Sequence, residues 1–151
     1  MKKIKRKIHV IGLNSFKIED LSQETQELFH KVKNIAAPYS YIHRIKEWVA
    51  MKFIEEKNFY ESKSNIDLIK WLKSNANDVI LISRGDPLWF GIGRILLNNF
   101  SKEELFFYPG NTSLQLAFSR LKKSWQDVKA VSIHGRETNE LIKYLKLKEK
   151  R

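Results

Sequence analysis

At 151 residues, the chain is sized for one ordinary domain and not comfortably for two. Hydrophobic residues make up 42% and charged residues 30%, which excludes a disordered chain, and the absence of cysteine excludes a disulfide scaffold, a thiolate metal site and a cysteine nucleophile. The 28 Lys and Arg against 17 Asp and Glu leave a formal charge of +11; this either draws an anionic partner or reflects a lysine-rich bias on solvated faces.

The chain opens on a basic leader, Lys2 to Lys7. The apolar stretch that follows, Ile8 to Leu13, is too short for a signal core and contains His9. It predicts a buried first strand stopped by Gly12. Leu21, Thr25, Leu28, Phe29 and Val32 then recur at helical spacing, with Ser22 placed to cap them. Asn34 to Ala37 predicts a second strand, ended by Pro38. Tyr41, Ile45, Trp48, Val49 and Phe53 line one face of a further helix. Residues 57 to 64 are polar and irregular and predict a loop, and Ser64 is placed to cap a short helix carrying Leu68, Ile69 and Leu72.

Val79-Ile80-Leu81-Ile82 is the clearest strand: four consecutive apolar residues imply burial on both faces, as in a parallel sheet. Ser83 to Pro87 is a turn, followed by a helix carrying Phe90, Ile95, Leu96 and Leu97, with Gly91 and Gly93 inside it. Leu105 to Tyr108 predicts a strand broken by Pro109-Gly110, and Leu114, Ala117, Phe118 and Leu121 mark the next helix. Val128 to Ile133 predicts a last strand, and Leu141, Ile142 and Leu145 a last helix. The alternation predicts an α/β domain with a mainly parallel sheet flanked by helices. Its strand-to-helix loops, at Gly12, Gly85 to Pro87, Pro109 to Ser113 and His134 to Arg136, gather at the carboxyl edge, where such folds bind ligands. No apolar run reaches the roughly 18 residues of a membrane span, and a cytoplasmic address is expected.

Two of these loops have the composition of a ligand site. In Gly85-Asp86-Pro87, glycine permits a sharp turn and a close backbone approach, Asp86 can accept hydrogen bonds and Pro87 suits a first helical turn; a plain capping turn explains the same residues and is favoured on composition alone. Pro109-Gly110-Asn111-Thr112-Ser113 offers free amides and hydroxyls for a carboxylate or ribose, against a simple N-cap role for Thr112 or Ser113. Gly91-Ile92-Gly93 is not a dinucleotide fingerprint, since the third glycine would fall at Leu96. Neither a phosphate-cradling loop nor a nucleophile elbow occurs. His9, His30, His43 and His134 show no metal-ligand spacing. Arg136 is suited to a forked carboxylate contact or is an ordinary surface arginine.

Taken together, Val79 to Gly93 (VILISRGDPLWFGIG) and Tyr108 to Ala117 (YPGNTSLQLA) resemble the two signatures of the tetrapyrrole methylases. Gly91-Ile92-Gly93-Arg94, Trp125-Gln126-Asp127 and Ser132-Ile133-His134-Gly135-Arg136 are most similar to the cobalamin-pathway subfamily that methylates C5 (or C5 and C15) of precorrin-6Y or cobalt-precorrin-7. The resemblance covers residues 8 to 136 in the family's order. It implies S-adenosylmethionine as methyl donor and a corrin precursor as acceptor. It places Gly12, Gly85, Asp86, Trp89, Gly91, Gly110, Thr112, Ser113 and Leu114 around the donor and His134 and Arg136 toward the macrocycle, with no catalytic residue and no metal assigned. It also implies a homodimer and a C15-methylating, decarboxylating partner domain or subunit, with no membrane and no nucleic-acid role.

The chain departs from the family in four places. Gly12-Leu13-Asn14 lacks extra glycines, Arg84 stands where a small residue is usual, and Asn111-Thr112 replace a small apolar residue and a serine. The family's second domain is also represented only by its start. Residues 1–124 are therefore expected to form the N-terminal methylase domain and residues 125–151 an incomplete beginning of the next, in a fragment or in a divergent, inactive relative. The rival readings are a methylase of the same fold acting on RNA or diphthamide, and a non-catalytic protein that binds the donor or nucleic acid.

Overall fold

The apolar runs at 8–13 and 79–82 form the centre of one sheet because each is buried on both of its alternating faces. The computed structural model describes residues 6–14, 18–52, 56–133 and 138–148. Strands β1 (Ile8–Leu13), β2 (Asn34–Pro38), β3 (Asn58–Ser62), β4 (Val79–Arg84) and β5 (Leu105–Tyr108) pair in the order β3-β2-β4-β1-β5, and every pairing is parallel. Helices α1 (Gln23–Lys31), α2 (Tyr39–Lys52), α3 (Asn65–Ser74), α4 (Gly93–Leu97), α5 (Ser113–Leu121) and α6 (Asn139–Lys148) complete the elements.

Strand alternation divides the core in two. Ile11, Leu13, Ile35, Ala37, Ile80 and Ile82 pack with Phe29 and Val32 and with the α2 residues Ile45, Trp48 and Val49. Ile8, Val10, Ala36, Val79, Leu81 and Leu105 pack on the other face with Leu68, Ile69 and Leu72 of α3 and Leu96 of α4. The connection leaving β1 therefore runs over one face, while that leaving β4, its neighbour, runs over the other. Such a reversal opens a crevice at the carboxyl edge between the two strands.

The caps behave as their residue types require. Ser22 Oγ accepts from the Thr25 amide at 3.2 Å, and Ser64 Oγ accepts from the Asp67 amide at 3.1 Å, each satisfying a donor the helix cannot use itself.

Four expectations are corrected. Residues 57 to 64 hold an edge strand, β3, and not a loop. It reads as polar because only one side of it is paired, yet Phe59 reaches one core and Tyr60 the other, Tyr60 stacking on Trp71 at 4.5 Å. β1 continues through Gly12, which pairs with Ser83. The helix after the central turn begins at Gly93, leaving Phe90 and Gly91 outside it, with Phe90 at φ 51°. Residues 128 to 133 form no strand: among the described residues from Ala117 onward there is no second strand to take its backbone hydrogen bonds, and Val128 and Ile133 are exposed. The expected helix position of Phe53 lies outside the described residues.

The chain divides into two compact units, Met1–Leu116 and Ala117–Arg151, with the division inside α5. The first contains the whole sheet and both cores. In the second, none of the described side chains is buried; Lys129 Nζ sits 3.9 Å from the Tyr144 ring centroid. No helix among the described residues is long and apolar enough to cross a membrane.

His9 is a buried imidazole on β1. Its Nδ1 lies 3.1 Å from Tyr108 Oη, and its ring packs against Phe106 and Tyr108. Burial lowers its pKa below the ordinary 6.5, opposed by Asp78 and reinforced by Lys7. The folded protein thus prefers the neutral ring more strongly than the unfolded chain does. That stability is complete above about pH 6.5 and is lost as the pH falls toward the depressed folded value. Melting temperatures between pH 7.5 and 5 should fall more steeply for the wild type than for His9→Gln; parallel curves would remove His9 as the cause.

Candidate functional site

At the carboxyl edge, three backbone segments meet. A Cβ built on Gly12 would lie 2.0 Å from the Gly85 carbonyl oxygen and 2.5 Å from the Gly110 nitrogen. Only a hydrogen atom fits there, so the ends of β1 and β4 and the loop after β5 lie directly against one another. Gly85 itself adopts φ +56°, a left-handed conformation that glycine enters without the Cβ penalty. A Cβ on it would lie 3.4 Å from the Asn111 oxygen and 3.8 Å from the Thr112 Cα, so the loops after β4 and β5 face each other at contact distance.

Above this floor lies an open cleft of about 470 Å³. Of the residues singled out in the sequence, Gly85, Asp86, Trp89, Thr112 and Ser113 line it, and Leu13, Asn14, Tyr41, Arg84 and Leu116 line it as well. Gly12 and Gly110 are packed beneath it. Gly91 serves the β4 loop internally, where a Cβ would meet the Pro87 carbonyl oxygen at 2.7 Å. Leu114, in the first turn of α5, is not among the lining residues. His134 and Arg136 lie outside the described residues.

The N-cap reading holds for Thr112, whereas Asp86 caps no helix: α4 begins only at Gly93 and has no side-chain cap, so Asp86 closes a tight turn and Pro87 lies outside the helix. Asp86 Oδ1 accepts from the Leu88 amide at 2.8 Å, and the Trp89 amide donates to the Asp86 carbonyl at 3.1 Å, which tightens the turn that presents Trp89. The Pro87 carbonyl then accepts from the Gly93 amide at 2.8 Å and joins the turn to α4. Thr112 and Gln115 form a reciprocal cap: the Thr112 amide donates to Gln115 Oε1 at 2.7 Å, and the Gln115 amide donates to Thr112 Oγ1 at 3.1 Å. The Thr112 amide is thereby committed. Ser113 occupies the first helical position, where the backbone N–H has no acceptor within the helix.

Sequence reasoning missed the contribution of α2. Tyr41 lies on the apolar stripe and reads as core, and it is buried; its hydroxyl donates to the Leu13 carbonyl at 3.2 Å. Burial pushes the phenol's pKa up and the Arg84 cation pulls it down. Arg84 Nη2 donates to Ser40 Oγ at 2.8 Å, and the guanidinium carbon lies 5.8 Å from the Tyr41 ring centroid. The sequence signal for Arg84 was its departure from the resemblance; for Tyr41 there was none. Among the described residues, no cluster of three His, Asp or Glu residues is arranged to hold a metal.

Chemically, the cleft combines an indole, a carboxylate, a guanidinium, a half-buried glycine backbone and hydroxyls, within the roughly 300–1,000 Å³ of ordinary small-molecule sites. That mixture suits a ligand with an aromatic ring, hydroxyl groups and charged ends.

The family model for Tetrapyrrole (Corrin/Porphyrin) Methylases matches residues 7–150. A Sinorhizobium protein named precorrin-6Y C(5,15)-methyltransferase [decarboxylating] is 30% identical over 128 residues, covering 84% of this chain and 30% of that protein. A probable cobalt-precorrin-7 C(5)-methyltransferase of Methanocaldococcus jannaschii is 33% identical over 103 residues, covering 64% of this chain and 49% of that protein. The chain thus spans half or less of the length of these relatives. Among solved structures, the methyltransferase CobJ superposes with a TM-score of 0.71 at 20% identity, covering 93% of this chain and 62% of that one. The cobalamin-biosynthesis precorrin-6Y methylase of Archaeoglobus fulgidus superposes at 0.63 and 21% identity, covering 89% and 67%.

Proposed function

The chain belongs to the tetrapyrrole (corrin/porphyrin) methylases, and from that premise we propose that its carboxyl-edge cleft binds S-adenosylmethionine for C-methylation of a corrin precursor, at C5 of precorrin-6Y or cobalt-precorrin-7. The observation that carries this reading is the contact between the loops after β4 and β5 on one side of an open cleft. The names of the two relatives support the acceptor. The donor, when bound, supplies an electrophilic methyl group on a sulfonium.

The chain's own residues supply position. Trp89, partly exposed at the cleft wall, offers an aromatic face. Asp86 keeps one carboxylate oxygen beyond the Leu88 contact for ligand hydroxyl or amine groups. Gly85 and Ser113 present backbone and hydroxyl groups at the cleft wall. In-line methyl transfer needs alignment more than a strong base, so the contribution of such a site is proximity and orientation. Gly12, Gly91, Gly110, Thr112 and Leu114 act in this reading by shaping the loops, and His134 and Arg136 are kept for the macrocycle side.

The wider reading has residues 1–124 as the N-terminal methylase domain and residues 125–151 as the beginning of a second. It also includes a homodimer, a C15-methylating and decarboxylating partner, and a cytoplasmic setting.

Calorimetry with S-adenosylmethionine and S-adenosylhomocysteine tests the donor site. The wild type is expected to bind both, and Asp86→Ala to weaken each about tenfold, the scale of a hydrogen bond to a charged group. Absence of heat with both ligands would reject the donor assignment. Methyl transfer to RNA but not to corrin precursors would reassign the acceptor.

A further inference from the structure

Arg84, the last residue of β4, stands in the cleft wall. Among the described residues it makes no ion pair. Nη2 donates to Ser40 Oγ at 2.8 Å, and the guanidinium lies beside the Tyr41 ring at 5.8 Å. These contacts orient the side chain and leave most of its N–H donors unused. The nearest acid in sequence, Asp86, directs Oδ1 to the Leu88 amide at 2.8 Å and does not neutralise it. Tyr41 is itself anchored to β1 through the Leu13 carbonyl at 3.2 Å, so the guanidinium rests on a fixed ring.

A guanidinium held on one edge and unpaired on the others is shaped for a planar, forked acceptor. Resting on the proposed function above, we propose that Arg84 is the carboxylate-binding residue of the cleft. Two ligands of that reading carry the chemistry: the amino-acid end of the methyl donor, and the acidic side chains of a corrin precursor. In either case Arg84 fixes the ligand's charged end while the loops after β4 and β5 hold the remainder. A small residue at this position would leave the carboxylate to backbone amides or to solvent.

The experiment compares the full chain with Arg84→Gln, Arg84→Lys and a distant charge control, Lys70→Gln on α3. Three probes are titrated: S-adenosylhomocysteine, methylthioadenosine (the same thioether nucleoside without the amino-acid end) and the polycarboxylate uroporphyrin. The expected result is a loss of about tenfold or more in Arg84→Gln for S-adenosylhomocysteine or for uroporphyrin, with methylthioadenosine unchanged. Arg84→Lys should fall between, because it keeps the charge and loses the fork. Loss of S-adenosylhomocysteine affinity assigns the donor's carboxylate; loss of uroporphyrin affinity assigns the acceptor's.

The proposal is overturned if Arg84→Gln binds both carboxylate probes as the wild type does. It is also overturned if its loss is no greater than that of Lys70→Gln, which measures net charge alone, or if methylthioadenosine binding falls equally, which marks a collapsed cleft. A wild type that binds none of the probes would instead reject the donor cleft, and this assignment with it.

Discussion

Gly12→Ala is expected to destabilise the fold by about 3 kcal/mol or more, the upper end for forced overpacking, and to abolish ligand binding at the carboxyl edge. The added carbon would lie 2.0 Å from the Gly85 carbonyl oxygen and 2.5 Å from the Gly110 nitrogen. Both are backbone atoms, so no side chain can rotate away. β1 is hydrogen-bonded to β4 on one side and β5 on the other, so relief requires two ladders to shift together. The reciprocal contact, a Gly110 Cβ at 2.6 Å from the Gly12 oxygen, shows the same closeness from the other side. Gly85→Ala provides the comparison. Its Cβ meets nothing nearer than 3.4 Å, and it pays mainly for the left-handed backbone, about 1–2 kcal/mol. Denaturant unfolding of both variants checks the ranking. With about 2–4 °C per kcal/mol for a chain of this size, a Gly12→Ala protein melting within about 2 °C of wild type would contradict the three-way backbone contact.

Phe29→Ala should cost about 3–5 kcal/mol, the range for removing a buried aromatic ring. Phe29 is fully buried and meets Trp48 edge-on at 5.1 Å, joining α1 to α2 across one face of the sheet. The cavity would open between these two helices, inside the core cluster that Phe29 shares with Ile45, Trp48 and Val49. Ile66→Ala on α3 is the paired control: Ile66 is 70% exposed, and its removal should stay within about 0.5 kcal/mol. Urea denaturation reads both. Equal midpoints would show that Phe29 is not part of the cooperative core.

These two substitutions bear on different properties of the fold, and the sequence exposed them unequally. Phe29 is legible because helical spacing groups it with Leu21, Thr25, Leu28 and Val32, and such a stripe must be covered. From local pattern Gly12 reads as a strand terminator, which it is not: it pairs with Ser83, and what demands a glycine there is the crowding of three backbones brought together from distant parts of the chain. The same limit explains β3. Polar residues at 58 and 61 hide a strand whose outer side has no strand neighbour. Conversely, Val128 to Ile133 has strand-like residues, but the described residues from Ala117 onward hold no strand for it to pair with.

The cleft shows the same division. Gly85, Asp86, Trp89, Thr112 and Ser113 are neighbours in two short loops, and local chemistry marked both loops. Tyr41 and Arg84 come together because the first turn of α2, which follows β2 directly, and the end of β4 share one edge of the sheet, a proximity no spacing rule contains.

By itself, the sequence determined the period of each long helix, the burial of β1, the two-faced burial of β4, and the mainly parallel α/β class, because these depend on local side-chain patterns. Tertiary structure alone decided the strand order, the glycine contact beneath the cleft and the placement of Arg84 over Tyr41, because these depend on which distant segments the crossovers bring side by side.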